Sequence, residues 1–178
     1  QGQVITEIKG DEEMSRSFIL TRLVNELGYS PDRIEIEHEY TAGRPHTNTS
    51  RIDIIVRDAA GNAFLFIECK SPDAYASDDR DQIIEEQLYK VAGMDRTEGN
   101  SVRYLVLYTT AETSDKVMDE CIIIDTEKFP TFADWEVSRD FSNTLPARYG
   151  KAQKTPYIKA SAKDLETDFS NKMLNQLQ

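Results

Sequence analysis

Two neighbouring strand-like segments with charges among their apolar residues constrain the fold most. Residues 51–57 are rich in β-branched side chains, and residues 63–70 begin with an apolar run. The five residues between them, 58–62, contain Asp, Gly and Asn, which are typical of a turn. Because this connection is short, the two segments are predicted to form an antiparallel hairpin.

The segments on either side predict helices and further strands. A helix is predicted over 11–27 from apolar residues at helical spacing: Leu20, Leu23, Val24 and Leu27, extended by Met14 and Phe18. A second helix is predicted over 79–96, strands are predicted over 33–40, 102–108 and 121–124, and a polar loop is predicted over 41–50. The order α-β-β-β-α-β, followed by a further strand, predicts an α/β fold with a central mixed sheet flanked by helices.

Length and composition favour a folded domain of the cytoplasm. The 178 residues, 39% of them hydrophobic, suit a single domain over 1–178, with a core at about 5–126 and a C-terminal extension over 127–178. No apolar run is long enough to span a membrane, and no secretory signal is recognised. Two cysteines, Cys69 and Cys121, are too few for a disulfide framework. Residues 165–178 begin a helical pattern without a stop signal, so a downstream domain is expected.

The net charge of −11 argues against binding nucleic acid by bulk electrostatics. The charge is uneven, however, because residues 144–163 contain basic side chains and no acidic ones. This basic stretch is interpreted either as a contact to DNA backbone or as a solvated arm. DNA is therefore retained as a substrate, although the chain alone is expected to bind it poorly.

The candidate chemistry lies on the predicted hairpin, with Asp53 on its first strand and Glu68 and Lys70 on its second. Side chains alternate along a strand, so Glu68 and Lys70 share a face and Cys69 points to the other. A register that pairs residue 53 with residue 68 brings both carboxylates together, whereas a shift by one separates them. The sequence leaves this register open.

Paired carboxylates beside a lysine suit phosphodiester hydrolysis. Mg²⁺ accepts one or two carboxylates and can also take a backbone carbonyl, such as that of Cys69. Lys70 could orient or deprotonate a water, or neutralise charge on the phosphorus, and burial could lower its pKa for the first role. On a solvated face the same residues would be ordinary charge pairs, but their apolar flanks make unpaired charges costly.

An ordered set of segments resembles a known family. These segments are Glu12–Arg16, Leu23–Tyr29, Ile34 with Glu37, Arg51–Val56 and Phe66–Pro72. The set is similar to the N-terminal nuclease domain of type I restriction enzyme R subunits, in the PD-(D/E)XK superfamily with its restriction-endonuclease-like core. The resemblance covers roughly the first 110 residues.

The resemblance implies a Mg²⁺-dependent DNA endonuclease, with Mn²⁺ as a substitute ion. Asp53 and Glu68 would be metal ligands, together with the Cys69 carbonyl, and Lys70 would be the catalytic lysine. An acidic residue of the first helix would assist the metal. Glu13 is the prediction and Glu12 the alternative, and stabilisation of the helix dipole explains either residue equally well.

The family also carries a Gln-x-x-x-Tyr motif, from which this sequence departs. Gln87 is the best positional match, but Tyr89 follows it after only two positions and Val91 stands at the fourth. Gln87 is therefore a candidate catalytic residue, with a plain role on the helix surface as the alternative, and Tyr89 has no assigned role. Arg44 and Arg51 are candidate phosphate contacts.

The implied partners are double-stranded DNA and other restriction–modification subunits, or downstream helicase or methyltransferase domains. No membrane partner is expected. Three alternatives remain: a catalytically silent nuclease fold that binds or scaffolds, an acidic protein that mimics DNA, and a PD-(D/E)XK nuclease acting in repair.

Overall fold

The computed structural model of the chain describes residues 11–42, 48–112, 114 and 116–147. Its helices are α1 (Asp11–Asn25), α2 (Pro72–Ala76), α3 (Arg80–Ile83), α4 (Lys90–Thr97) and α5 (Phe132–Ser138), with a 3-10 turn at Pro31–Arg33 and a π-helical segment at Ile84–Tyr89. Its strands are β1 (Ile34–Ala42), β2 (Asn48–Arg57), β3 (Ala63–Lys70), β4 (Tyr104–Glu112) and β5 (Val117–Asp125). The predicted element order is confirmed. Arg44, most of the basic stretch and the predicted C-terminal helix lie outside the described residues.

The strands form one mixed sheet of five, in the order β1-β2-β3-β4-β5. Strands β3 and β4 run parallel, and each of the other neighbouring pairs is antiparallel. The β2–β3 hairpin therefore forms as predicted, and the α/β class with a restriction-endonuclease-like core is confirmed. The predicted polar loop over 41–50 is shorter than expected, because β1 continues to Ala42 and β2 begins at Asn48.

Apolar side chains pack on both faces of the sheet. On one face Phe66 and Leu105 pack with Leu88 of the π-helical segment, and on the other Ile67 and Val106 pack with Ile19 of α1. All six of these side chains are completely buried. Covering both faces is the usual condition for a sheet that contains parallel strands.

Helix α1 buries a face that only partly coincides with the predicted apolar stripe. Its buried residues are Ser15, Arg16, Ile19 and Leu23, whereas Leu20 and Phe18 are only partly buried. Ser15 lies against β4, since its hydroxyl forms a hydrogen bond of 2.9 Å with Thr110 Oγ1. The apolar periodicity predicts the helix and the burial of Leu23, but it misses Ser15 and Arg16, because polar side chains do not contribute to an apolar pattern.

The predicted helix over 79–96 is present with an altered central turn. Helices α3 and α4 are joined without a break by the π-helical segment Ile84–Tyr89. A π turn carries more residues than an α turn, so it changes which side chains of the helix share a face. Helix α5 was not predicted, although Thr131 and Asp134 form a capping box at its start.

In the described part of the chain, no helix is both long enough and apolar enough to cross a membrane. Cys69 and Cys121 are buried and are free cysteines. Both pack on the face of the sheet that α1 covers, as the alternation of side chains along β3 predicts for Cys69.

Candidate active site

A polar pocket of about 400 Å³ lies at the carboxyl end of β3. Its lining comes from α1, β2, β3, the π-helical segment and α4: Glu12, Ser50, Arg51, Asp53, Glu68, Lys70, Glu86, Gln87 and Lys90. The fold therefore brings together four side chains that the sequence predicted as site residues, from three separate segments of the chain. Glu86 and Lys90, which line the same pocket, were not predicted.

The strand register that the sequence left open is resolved by the hairpin. Ile54 pairs with Ile67 and Ile55 pairs with Phe66. Continuing this register towards the pocket places Asp53 across from Glu68. Packing explains the choice, because both faces of β2 and β3 are buried and a one-residue slip would exchange their side chains.

Glu68 and Lys70 form a close ion pair, with Lys70 Nζ donating to Glu68 Oε1 at 2.7 Å. Among the described residues, the second oxygen, Glu68 Oε2, is buried without a hydrogen-bond partner. Burial and the nearby charge of Asp53 both raise the pKa of Glu68, and the ion pair with Lys70 lowers it, which gives a net value of about 7. Burial and the Asp53 charge thus outweigh the single positive charge that Lys70 supplies.

The expectation that burial could leave Lys70 with a lowered pKa is not met. Burial does act in that direction, but the Glu68 carboxylate outweighs it, and the pKa of Lys70 is raised. Lys70 is therefore a stable cation in this structure, and deprotonating a water is not the role its environment favours.

Asp53 is almost fully buried and is held at both oxygens. The backbone N–H of Cys69 donates to Oδ2 at 2.8 Å, and Arg16 Nη2 donates to Oδ1 at 2.8 Å. Sequence reasoning missed Arg16, whose side chain is only 10% exposed. Its spacing of three and four residues from Glu13 and Glu12 was a signal, since such pairs meet on a helix.

Glu12, the alternative to Glu13, lies at the pocket. Glu13 instead accepts a hydrogen bond of 2.6 Å from Arg16 Nη1 and is absent from the pocket lining. Adjacent helical residues point about 100° apart, so only one of the two can face the sheet end. Of the two candidates, Glu12 therefore lines the pocket and Glu13 does not, and a role of either in assisting a metal stays a prediction.

Gln87 lines the pocket, and its Oε1 is another buried atom without a hydrogen-bond partner in the described part of the chain. Tyr89 points elsewhere, because its hydroxyl donates to the Phe129 carbonyl at 3.1 Å. The tyrosine of the expected motif is thus a core residue here. The Cys69 thiol is also buried in the core, and burial raises its pKa.

The pocket offers ligands that suit a hydrated divalent ion. Within residues 11–42, 48–112, 114 and 116–147, no three His, Cys, Asp or Glu side chains form a group that could hold a metal. Mg²⁺ does not need such a group, since it commonly takes one or two carboxylates and keeps several waters. The two unpartnered acceptors, Glu68 Oε2 and Gln87 Oε1, are the kind of buried oxygen that such an ion or its waters would satisfy. Metal binding by Asp53, Glu68 and the Cys69 carbonyl stays a prediction.

Comparison with known proteins supports the resemblance seen in the sequence. No curated protein gives a match to the chain. A family model described as type I restriction enzyme R protein N terminus matches residues 11–95. This segment includes α1, the central hairpin, the π-helical segment and the start of α4, and therefore every residue that lines the pocket. The resemblance predicted from the sequence is confirmed over residues 11–95, which match the N terminus of the type I restriction enzyme R protein.

Proposed function

We propose that the chain is a Mg²⁺-dependent DNA endonuclease domain of a type I-like or fused restriction–modification enzyme. The observation that carries this proposal is the convergence of Asp53, Glu68, Lys70 and Gln87 on one pocket at the end of β3. The family match over residues 11–95 adds independent support.

Asp53 and Glu68 would hold the ion, assisted by Glu12 and the Cys69 carbonyl, with Mn²⁺ able to replace Mg²⁺. Such an ion polarises a phosphoryl oxygen and makes a bound water more acidic. The raised pKa of Glu68 favours this assignment, because a cation in the pocket would relieve the repulsion between the two carboxylates.

Lys70 would stabilise negative charge that develops on the phosphate oxygens. Its raised pKa keeps it positively charged, and its ion pair with Glu68 fixes the ammonium group beside the pocket. Gln87 would orient the attacking water through its unpartnered Oε1. Of the two roles that the sequence left open for Lys70, charge neutralisation is the one we propose.

DNA capture would depend partly on groups outside this pocket. Arg51 and Lys90 are exposed at its rim and would contact phosphates of double-stranded DNA. A net charge of −11 predicts weak affinity of the chain alone. Other restriction–modification subunits, or helicase or methyltransferase domains, would select the target, and we expect the enzyme to act in the cytoplasm.

The test is cleavage of supercoiled plasmid in millimolar Mg²⁺ by the wild-type protein and by Asp53→Asn, Glu68→Gln and Lys70→Met variants. We expect each variant to lose at least about 100-fold in rate. Glu136→Gln, an exposed change on helix α5 outside the pocket lining, is the control and should cut at the wild-type rate. Chelation of the metal should stop cleavage, and full cleavage by Lys70→Met would contradict the proposal.

One observation favours a second candidate, a silent nuclease fold that binds without cutting. Both oxygens of Asp53 already accept hydrogen bonds, from Arg16 and from the Cys69 amide, so Asp53 is stabilised without a metal. Calorimetric titration with Mg²⁺ and with Mn²⁺ separates the two candidates. If the wild-type protein binds the metal ion and Glu68→Gln does not, the nuclease is supported. If the wild-type protein neither binds the metal ion nor cleaves plasmid, the silent domain is supported.

A further inference from the structure

Asp53 lies at an interruption in the pairing of β1 with β2. The ladder continues on both sides but skips the pair that Glu37 and Asp53 would form. Glu37 has a φ of 55°, in the left-handed region that non-glycine residues seldom adopt. Ile52 and Ile54 pack in different cores, although residues two apart on a regular strand share a face. Regular strand geometry therefore does not fix the direction of the Asp53 side chain.

Two hydrogen bonds fix the direction of the Asp53 side chain instead. The Cys69 amide holds Oδ2, and Arg16 Nη2 holds Oδ1, each at 2.8 Å. The first donor belongs to the backbone of β3 and is available whatever the side chains are. The second comes from a side chain on α1, so it depends on the identity of residue 16.

Besides Asp53, Arg16 hydrogen-bonds two further carboxylates, and its Nη2 lies 4.0 Å from Glu12 Oε1. Its Nη1 donates to Glu13 at 2.6 Å and to Glu37 at 3.2 Å, while Nη2 serves Asp53. The contact with Glu37 ties the left-handed residue of β1 to the same guanidinium. A planar group with several fixed donors can serve three carboxylates at once, and a lysine ammonium on a flexible stem cannot reproduce that geometry.

We infer that Arg16 is a positioning residue, which orients the Asp53 carboxylate for the reaction in the pocket. Only the kinetic consequence of this inference, slower cleavage by Arg16 variants, rests on the proposed function. Its structural consequence is that the hydrogen bond between Asp53 and the Cys69 amide depends on Arg16. Without the guanidinium, Asp53 would be free to turn away from that amide and from Glu68.

The experiment compares Arg16→Met and Arg16→Lys with a matched control, Arg22→Met. Arg22 lies on the same helix, pairs with Glu26 and does not line the pocket. The first measurement is the amide resonance of Cys69 in nitrogen–proton correlation spectra of the metal-free protein. It should move upfield in both Arg16 variants, because the hydrogen bond to Asp53 weakens, and stay in place in Arg22→Met.

The second measurement is plasmid cleavage at saturating Mg²⁺, which should fall about 10- to 100-fold in both Arg16 variants and remain unchanged in the control. An unmoved Cys69 resonance in folded Arg16→Lys, or full cleavage by either Arg16 variant, overturns the inference. If Arg16→Met does not fold, Arg16→Lys decides, since it keeps the charge. If the wild-type protein does not cleave, the proposed function fails, and the Cys69 resonance still decides the role of Arg16.

Discussion

Replacing Glu68 by Gln should remove a pH-dependent loss of stability. Glu68 is 6% exposed, and burial, with the repulsion from Asp53, raises its pKa from 4.5 to about 7. The folded protein therefore binds this proton more tightly than the unfolded chain does. The resulting stabilisation is complete below the unfolded pKa of 4.5 and is lost as the pH rises through about 7. Between about pH 5 and about pH 8, linkage gives a loss of about 2 kcal/mol in the free energy of unfolding.

Urea unfolding of the metal-free protein at these two pH values measures the effect. The wild-type protein should lose about 2 kcal/mol more than Glu68→Gln between about pH 5 and about pH 8. The difference between the two pH values is the relevant quantity, because Lys70 loses its partner in the variant and the absolute stability shifts as well. Glu136→Gln should keep the wild-type pH dependence. Equal pH dependence in wild type and Glu68→Gln would refute the raised pKa.

Three further predictions concern the pocket wall and the core. Glu12→Gln should slow plasmid cleavage more than Glu13→Gln, because only Glu12 lines the pocket, and equal rates would contradict this placement. Tyr89→Phe should cost about 1 kcal/mol in urea unfolding, since it leaves the buried Phe129 carbonyl unpaired, but it should cleave normally. Thr131→Ala should cost about 1 kcal/mol by removing the capping box of α5, and an unchanged urea midpoint would refute that contribution.

The centre of the fold was predictable because its signals are local. The bounds of β3 follow from a single apolar run that ends at Lys70, and the turn over 58–62 makes the hairpin the simplest connection. The register of the hairpin was not predictable from local signals, because alternation along one strand does not say which residue of the partner strand lies opposite. It is decided by burial on both faces of β2 and β3, which only the assembled sheet supplies.

Arg16 and the π-helical segment were not predictable for a related reason. Periodicity treats a charged residue as a surface residue, but Arg16 is buried because carboxylates from α1, β1 and β2 surround it. Similarly, the helical pattern over 79–96 gives no sign of the π turn in which Gln87 and Tyr89 both lie. The outcome is that Gln87 faces the pocket and Tyr89 faces the core.

The pairing of charges explains how such an acidic pocket can form in the absence of an ion. Asp53 is paired with Arg16, and Glu68 is paired with Lys70, so each nearly buried carboxylate has its own cation. Asp53 uses both oxygens in this arrangement, whereas Glu68 uses only one among the described residues. Breaking either pair would leave a buried charge without compensation, which costs about 3–5 kcal/mol. Glu68 Oε2 is therefore the oxygen at which we propose that an added cation binds.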